Sequence, residues 1–162
     1  MIQALQRLLD VLERDGAEDC VDAAMEVDRI AGPHIAFEET ILYPRVATAR
    51  GEEFVEKLRH EHRLVLEAIR FLLGRDKTQS LAKEDRTRLI EQVQTGIDHA
   101  ATCGTLLSHI TTLSHDQQTQ MLCRLEDLRV LGLHWTDLND VPLSSLTAGS
   151  GEPGIDAGES PT

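Results

Sequence analysis

The sequence has few aromatic residues, no cluster of basic residues and no long apolar run. One Trp, one Tyr and three Phe stand among 162 residues rich in Leu, Ala and charge, a composition that favours helix over strand. The net charge of −12 and the lack of a Lys/Arg patch argue against nucleic acid as a partner. No stretch reaches the length of a membrane span, and the start of the chain lacks the apolar run of a signal peptide. We therefore expect a cytoplasmic protein with no membrane partner.

The three cysteines, Cys20, Cys103 and Cys123, do not form the pattern of a disulfide framework. Their number is odd and no two lie close in sequence, so we expect reduced thiols, as in a cytosolic protein. The sequence also offers no nucleophile–base pair and no cofactor-binding loop, which favours a binding protein over an enzyme. Length and composition indicate one acidic, helical domain that is large enough to bury a core.

Apolar residues recur with the period of an α-helix in five segments, whereas the alternation of a β-strand does not recur. The predicted helices begin at Ile2, near residue 18, after Gly51, near residue 83 and after Ser114, which forms a capping-box pattern with Gln117. They end at Asp15–Gly16, near residue 46, at Gly74, near residue 113 and after Leu128. Gly32–Pro33 lies inside the second helix, where we expect a kink or a break.

These segments predict an all-α fold. Four long helices joined by short turns are typical of an up-down four-helix bundle, here with an extra C-terminal helix. From about residue 141 the chain consists of Ser, Gly, Pro and acidic residues with little to bury, as in disordered tails. We therefore predict a bundle over residues 1–135 and a flexible, disordered tail over residues 136–162.

The fifth helix carries too many apolar residues to remain in solvent. These residues are Met121, Leu122, Leu125, Leu128, Leu131 and Leu133, with Trp135 just beyond. We expect this helix to cap the end of its own bundle. The alternative is a seam between two copies of the chain, which would make the protein a homodimer.

Three histidines and one glutamate interrupt the apolar faces of three predicted helices. Within HIAFEETILYP (residues 34–44), His34 and Glu38 are four residues apart and so share one helix face. His62 and His99 lie in the apolar stripes of the next two helices. A single histidine of this kind is most often a satisfied core residue, but a buried carboxylate is costly unless a cation pairs with it, and the stripes contain no Lys or Arg. Imidazole and carboxylate are ligands for iron, zinc and manganese, and bundle interiors commonly form such sites.

Helix lengths indicate whether these side chains can meet. Counted from the turn between the second and third helices, His34, Glu38 and His62 lie at heights that agree within one turn at ~1.5 Å per residue. Across the longer linker to the fourth helix, His62 and His99 differ in height by ~8 Å on the same count. We predict a metal site formed by His34, Glu38, His62 and His99. Cys103, one turn after His99, is a weaker candidate ligand and otherwise a small buried hydrophobe.

Three segments together resemble the hemerythrin-like (HHE cation-binding) family over roughly residues 2 to 115. HIAFEETILYP matches the family signature H-x-x-x-E-E-x-x-L-x-P, LRHEHRLVLEAI resembles the family's third helix, and IDHAATCGTLLSHI resembles its fourth, which normally reads H-x-x-x-E. The resemblance implies a bundle that holds non-haem iron and that binds dioxygen or nitric oxide, senses oxygen or redox state, or handles iron. It implies His34, His62 and His99 as terminal ligands and Glu38 as a bridge.

The sequence departs from the family pattern at three positions. Residues 1–33 contain no histidine where the family has a first-helix ligand, so that ligand is lost or lies before Met1. Cys103 stands where the fourth-helix carboxylate is expected, and Leu58 stands where many relatives have another histidine. The four remaining ligands suit one zinc, or one iron completed by water, better than two irons.

Two functions follow from this set of ligands. In the first, the bundle holds at most one tightly bound metal per chain, iron with zinc as the alternative, and binds a small diatomic ligand or senses redox or iron state. In the second, the metal site is eroded, and the bundle serves as an interaction or dimerisation module without metal. The cost of a buried, unpaired Glu38 favours the first.

Overall fold

The computed structural model describes residues 1–14, 17–106 and 113–139, and these residues form helices and turns but no strand. The helices are α1 (Ile2–Glu13), α2 (Ala17–Phe37), α3 (Tyr43–Arg50), α4 (Glu52–Leu73), α5 (Lys83–Leu106) and α6 (His115–Leu131), followed by a 3₁₀ helix at Trp135–Asn139. A π-helical turn at Glu38–Leu42 joins α2 to α3 in one continuous helical segment. The predicted all-α fold is confirmed.

Four helices pack in a closed ring of neighbours. α1 contacts α2, α2 contacts α4, α4 contacts α5, and α5 returns to α1. The core between them is largely aliphatic, and its fully buried residues include Leu5, Leu8, Leu12, Ile35, Leu58, Ile69, Leu72 and Leu89. Full burial of each such side chain contributes roughly 1.5–3 kcal/mol relative to exposure. None of the helices in the described part of the chain is long and apolar enough to cross a membrane.

The irregular turn in the second helical segment lies later in the chain than the sequence indicated. α2 passes through Gly32 and Pro33 as a helix, so there is no break at these residues, and the alternative of a kink stays a prediction. The hydrogen bonding changes instead after Phe37, and the N–H of Tyr43 donates to the C=O of Glu38, five residues earlier. Pro44 explains this position, because a proline ring clashes with the carbonyl group four residues before it, which lies inside the π turn.

The fifth predicted helix is α6, and it packs on α2 of the same chain. Ser114 and Gln117 exchange side chain to backbone hydrogen bonds at its start, which confirms the predicted capping box. α6 buries Met121 and Leu128, whereas Leu122 and other apolar residues on its outer side remain exposed. The expected intramolecular contact is therefore present, and the homodimer stays a prediction.

The segment after α6 crosses α2 at very close range. A Cβ atom at Gly32 would lie 1.9 Å from the Leu133 carbonyl oxygen, so only glycine fits at this crossing. The buried carboxylate of Asp28 accepts hydrogen bonds from His134 Nδ1 at 2.8 Å and from the Thr136 N–H at 2.9 Å. These contacts hold the 3₁₀ helix, with its buried Trp135 and Leu138, against the bundle. Residues 136–139 of the predicted tail belong to this 3₁₀ helix, whereas residues 140–162 lie outside the described residues, where the tail stays a prediction.

Candidate metal centre

One carboxylate and two imidazoles meet at the centre of the bundle. Glu38 lies in the π turn, His62 on α4 and His99 on α5, and none of the three is more than 3% exposed. The Nε2 atoms of His62 and His99 are 2.9 Å apart. Oε2 of Glu38 lies 3.2 Å from His62 Nε2 and 3.8 Å from His99 Nε2. Three predicted ligands from three parts of the chain therefore place one donor atom each in the same small volume.

His99 lies at the same height along the bundle as His62 because α5 begins farther along the bundle axis than the point where α4 ends. On the linker side of the centre, α4 continues from His62 to Leu73, whereas α5 extends from Lys83 to His99. α5 thus has about five more residues on that side, roughly 7.5 Å of helix. The linker between the two helices covers this height, which accounts for the difference expected from the sequence.

A glycine allows the two histidine-bearing helices to approach closely. A Cβ atom at Gly96 would lie 2.9 Å from a methyl carbon of Val65, closer than real Cβ contacts. Gly96 lies about one turn before His99 on α5, and Val65 about one turn after His62 on α4. The close contact between α4 and α5 at this level brings the two imidazole rings together, with ring centroids 4.4 Å apart.

Each buried imidazole has a glutamate on its far side. Oε1 of Glu39 lies 2.9 Å from His62 Nδ1, and Oε2 of Glu61 lies 2.8 Å from His99 Nδ1. A carboxylate accepts hydrogen bonds, so each Nδ1 donates its proton outward, and an uncharged ring held in this way presents its Nε2 lone pair to the centre. Metal-ligating histidines are typically held in this way.

Hydrogen-bond acceptors outnumber donors at the centre. Oε2 of Glu38 is buried and has no hydrogen-bond partner among the described residues, since its 3.2 Å approach to His62 lacks hydrogen-bond geometry. The Tyr43 hydroxyl lies 3.1 Å from His62 Nε2 and 3.3 Å from His99 Nε2, and its single proton can be donated to only one of them. The Cys103 thiol, 3.1 Å from His99 Nε2, can donate to that imidazole, which leaves Oε2 of Glu38 without a donor. A cation at this point would satisfy the carboxylate and both imidazoles together.

The electrostatics of the centre also favour a cation. Burial alone would raise the pKa of Glu38, but contacts with His34, His62 and His99 outweigh it and hold the pKa of this carboxyl well below its usual range. Burial alone would lower the pKa of His62, but Glu38 and the neighbouring Glu39 outweigh it and raise that pKa. The centre therefore contains an ionised carboxylate that attracts positive charge, either a proton on an imidazole or a metal ion.

The two other predicted ligands lie at the edge of the centre. His34 Nε2 is 3.2 Å from Oε1, the second oxygen of Glu38, and 42% of the His34 side chain is exposed. Cys103 Sγ is 3.1 Å from His99 Nε2. Burial raises the pKa of the Cys103 thiol and so favours its protonated form in the metal-free protein. Glu38 thus faces His62 and His99 with one oxygen and His34 with the other.

Sequence reasoning missed Tyr43, Glu39 and Glu61 as parts of this centre. In an α-helix a residue five places after Glu38 would point about 140° away from it. The π turn brings Tyr43 to the same side as Glu38, where burial raises the pKa of its phenol and keeps it a neutral donor. Pro44 was the signal for that turn. The signal for Glu39 and Glu61 was an acidic residue directly beside each ligand position.

Comparison with known families agrees with this geometry. A sequence model of the hemerythrin HHE cation-binding domain matches residues 1–112, which include every residue of the centre described above. The chain belongs to the hemerythrin HHE cation-binding family. Searches of curated proteins and of solved structures each gave no match. The matched region of this hemerythrin-like chain ends before α6, so α6 and the 3₁₀ helix lie beyond it.

The donor set of the hemerythrin-like centre fits one metal ion. Ligand atoms about 2.1 Å from a common ion stand roughly 3 to 3.4 Å apart in octahedral or tetrahedral geometry. The separations between the donor atoms of Glu38, His62 and His99 are 2.9, 3.2 and 3.8 Å. Small side-chain movements would bring all three within bonding distance of one ion.

Proposed function

We propose that this hemerythrin-like protein binds one metal ion per chain through Glu38, His62 and His99. Nitrogen and carboxylate ligands suit non-haem iron, with zinc as the alternative. The strongest support is the arrangement of the two imidazoles. The Nε2 atoms of His62 and His99 face each other and Glu38 Oε2, while the Nδ1 atom of each ring is hydrogen-bonded to a glutamate. A bound iron would supply reversible redox chemistry and an open position for dioxygen or nitric oxide, as in a carrier or a sensor of redox or iron state.

The residues around the ligands would support that function in distinct ways. Glu39 and Glu61 hold the protons at Nδ1 of the two histidines and so keep both Nε2 lone pairs directed inward. The Tyr43 hydroxyl remains at the centre as a donor that can reach a small bound molecule. Trp135 packs edge-on against His62, with ring centroids 6.1 Å apart, and excludes water from that side.

A single ion is favoured over two because the second oxygen of Glu38 has few partners. His34 contacts that oxygen, but its side chain is half-exposed. The neutral thiol of Cys103 stands where a second carboxylate would be needed. A second ion beside Oε1 would therefore have one histidine and one shared carboxylate, too few ligands to hold it tightly.

Metal analysis of the chain, purified without a histidine tag, tests the proposal. We expect one equivalent of iron or zinc by elemental analysis and by calorimetric titration with Fe²⁺ under argon or with Zn²⁺. Trp135 is the only tryptophan of the chain, so quenching of its fluorescence by a paramagnetic ion gives a second readout close to His62. Two irons per chain would contradict the single-ion proposal.

Alanine variants show whether the predicted ligands hold the ion. Glu38→Ala and His62→Ala should abolish binding, because each removes a donor atom from a set of three. His60→Ala is the matched control, since His60 lies on the same helix but is exposed. Absence of metal from the unmodified protein in every titration would favour the second function, an interaction or dimerisation module.

A further inference from the structure

A cavity of about 490 Å³ borders the metal centre. It reaches Glu38, His34 and Cys103, the edge of the centre where the second Glu38 oxygen lies. A diatomic molecule needs little more room than a water molecule, whose share of liquid volume is about 30 Å³. Cavities of roughly 300–1,000 Å³ are the size that holds organic ligands. The cavity is therefore much larger than binding of dioxygen or nitric oxide requires.

Small residues on α5 and the position of α6 create this space. Ala100 and Gly104 line the cavity from α5 where larger side chains would fill it. A Cβ atom at Gly104 would meet no atom within 4 Å among the described residues. α6 packs on α2 and borders the cavity with Leu125.

The lining of the cavity indicates the chemistry of its occupant. Its walls are apolar and include Ile2, Phe37, Leu42 and Leu125. One end is polar, where the ionised carboxylate of Glu38 and the half-exposed His34 lie. No Lys or Arg side chain is present among the described lining residues, and the carboxylate of Glu38 would repel an anionic group placed beside it. An apolar body with a hydrogen-bond-donating group fits both regions.

We propose that this cavity binds a small, neutral organic molecule with an apolar body and a hydrogen-bond-donating group directed at Glu38. The inference deepens the proposed function by naming an organic ligand class at the same site, and it rests on that function for the claim that the ligand lies beside a metal ion. Binding in the cavity itself requires no metal and is measured separately.

The probe for this inference is N-phenyl-1-naphthylamine, a neutral aromatic amine with one N–H donor whose fluorescence increases in apolar surroundings. Titrated with the full chain, it should bind saturably at one site with a Kd on the order of micromolar. Ala100→Phe fills the cavity and should weaken binding about tenfold or more. Ala101→Phe is the matched control, because it adds the same ring at the neighbouring, exposed position of α5 and should leave the affinity unchanged.

A second variant and a second probe keep the outcome decisive. Gly104 also lines the cavity, and a Cβ atom there meets no atom within 4 Å among the described residues, so Gly104→Leu tests the same point if Ala100→Phe does not fold. 1-Phenylnaphthalene lacks the N–H group and should bind about fivefold more weakly, since a net hydrogen bond contributes about 1 kcal/mol. Equal affinity of the two probes would overturn the role of the donor group.

Other results would overturn the cavity site itself. Absence of saturable binding would do so, and so would wild-type affinity in both cavity-filling variants, which would place the probe elsewhere. The same samples are titrated with Zn²⁺. Metal binding without probe binding would refute this inference and leave the proposed function standing. Probe binding without metal binding would refute the proposed function and leave the cavity site standing.

Discussion

The two glutamates behind the histidine ligands give the sharpest test of the metal centre. Glu39→Gln and Glu61→Gln keep the shape of each side chain and remove its negative charge. Glu39 is 2.9 Å from His62 Nδ1 and Glu61 is 2.8 Å from His99 Nδ1, so each substitution weakens one hydrogen bond to one ligand. An amide can also rotate to offer an N–H group, which would favour the wrong tautomer of the imidazole.

The expected loss follows from the role of these contacts. Removal of a partner that orients a metal-ligating histidine typically lowers metal affinity about 10- to 100-fold. That range corresponds to about 1.4–2.7 kcal/mol of binding free energy. Both glutamates are partly buried, with 21% and 18% of their side chains exposed, so solvent screens these hydrogen bonds only in part. We therefore expect each variant to lose affinity while the stoichiometry stays at one ion.

The assay is a competition titration of Zn²⁺ against a chromophoric chelator at constant pH and ionic strength. Glu67→Gln is the control, because Glu67 is an exposed residue on the same helix as Glu61 and its loss changes the net charge by the same amount. If Glu39→Gln and Glu61→Gln both bind zinc within about twofold of the wild type, the glutamates do not orient the ligands and the reasoning is wrong. An equal loss in Glu67→Gln would show a general effect of charge.

Four further substitutions test other contacts of the structure. Tyr43→Phe removes a hydroxyl from the centre, so we expect the metal-free protein to lose about 1–2 kcal/mol of unfolding free energy in urea with chelator present, while elemental analysis still finds one metal ion. Gly32→Ala should lower the unfolding free energy by about 1–3 kcal/mol because its methyl group would clash with the Leu133 carbonyl. Gly104→Ala is the comparison and should raise the unfolding free energy by up to about 1 kcal/mol. Equal stability of the two variants would contradict the close contact between α2 and the segment after α6. Asp28→Asn weakens the hydrogen bonds that hold the segment after α6, so it should lose about 1–3 kcal/mol and speed hydrogen exchange there, with unchanged exchange as the contrary result.

The helices were predictable because α1 and α4 have a strong apolar period and because others have clear end signals. Ser114 with Gln117 marked the start of α6, and Gly51 and Gly74 marked the turns on either side of α4, all within a residue or two of the observed bounds. These signals are local, so one sequence contains them in full. A kink or a break was expected at Gly32–Pro33, but the helix does not break there, and Gly32 is required instead by contact with Leu133, which lies about a hundred residues later.

The candidate ligands were predictable for a different reason. An ionisable residue in an apolar stripe is visible in the sequence, and Glu38, His62 and His99 each interrupt such a stripe. Their meeting at one level was not predictable to better than a turn or two, because it depends on the linker before α5 and on the contact between Gly96 and Val65. Contacts of this kind join distant parts of the chain and leave no local pattern.

The two carboxylate oxygens of Glu38 have different surroundings. This difference relates the departures from the family pattern to the presence of the cavity. On the side of Oε2 lie two histidines, His62 and His99, and each has an orienting glutamate. On the side of Oε1 a half-exposed His34 and the neutral Cys103 remain, and both line the cavity. Loss of ligands on the Oε1 side would release the volume that a second ion and its ligands need, while the Oε2 side would keep the three donors that we propose hold one ion. The single-ion stoichiometry and the organic ligand are thus linked proposals, because both depend on which residues surround the second oxygen of Glu38.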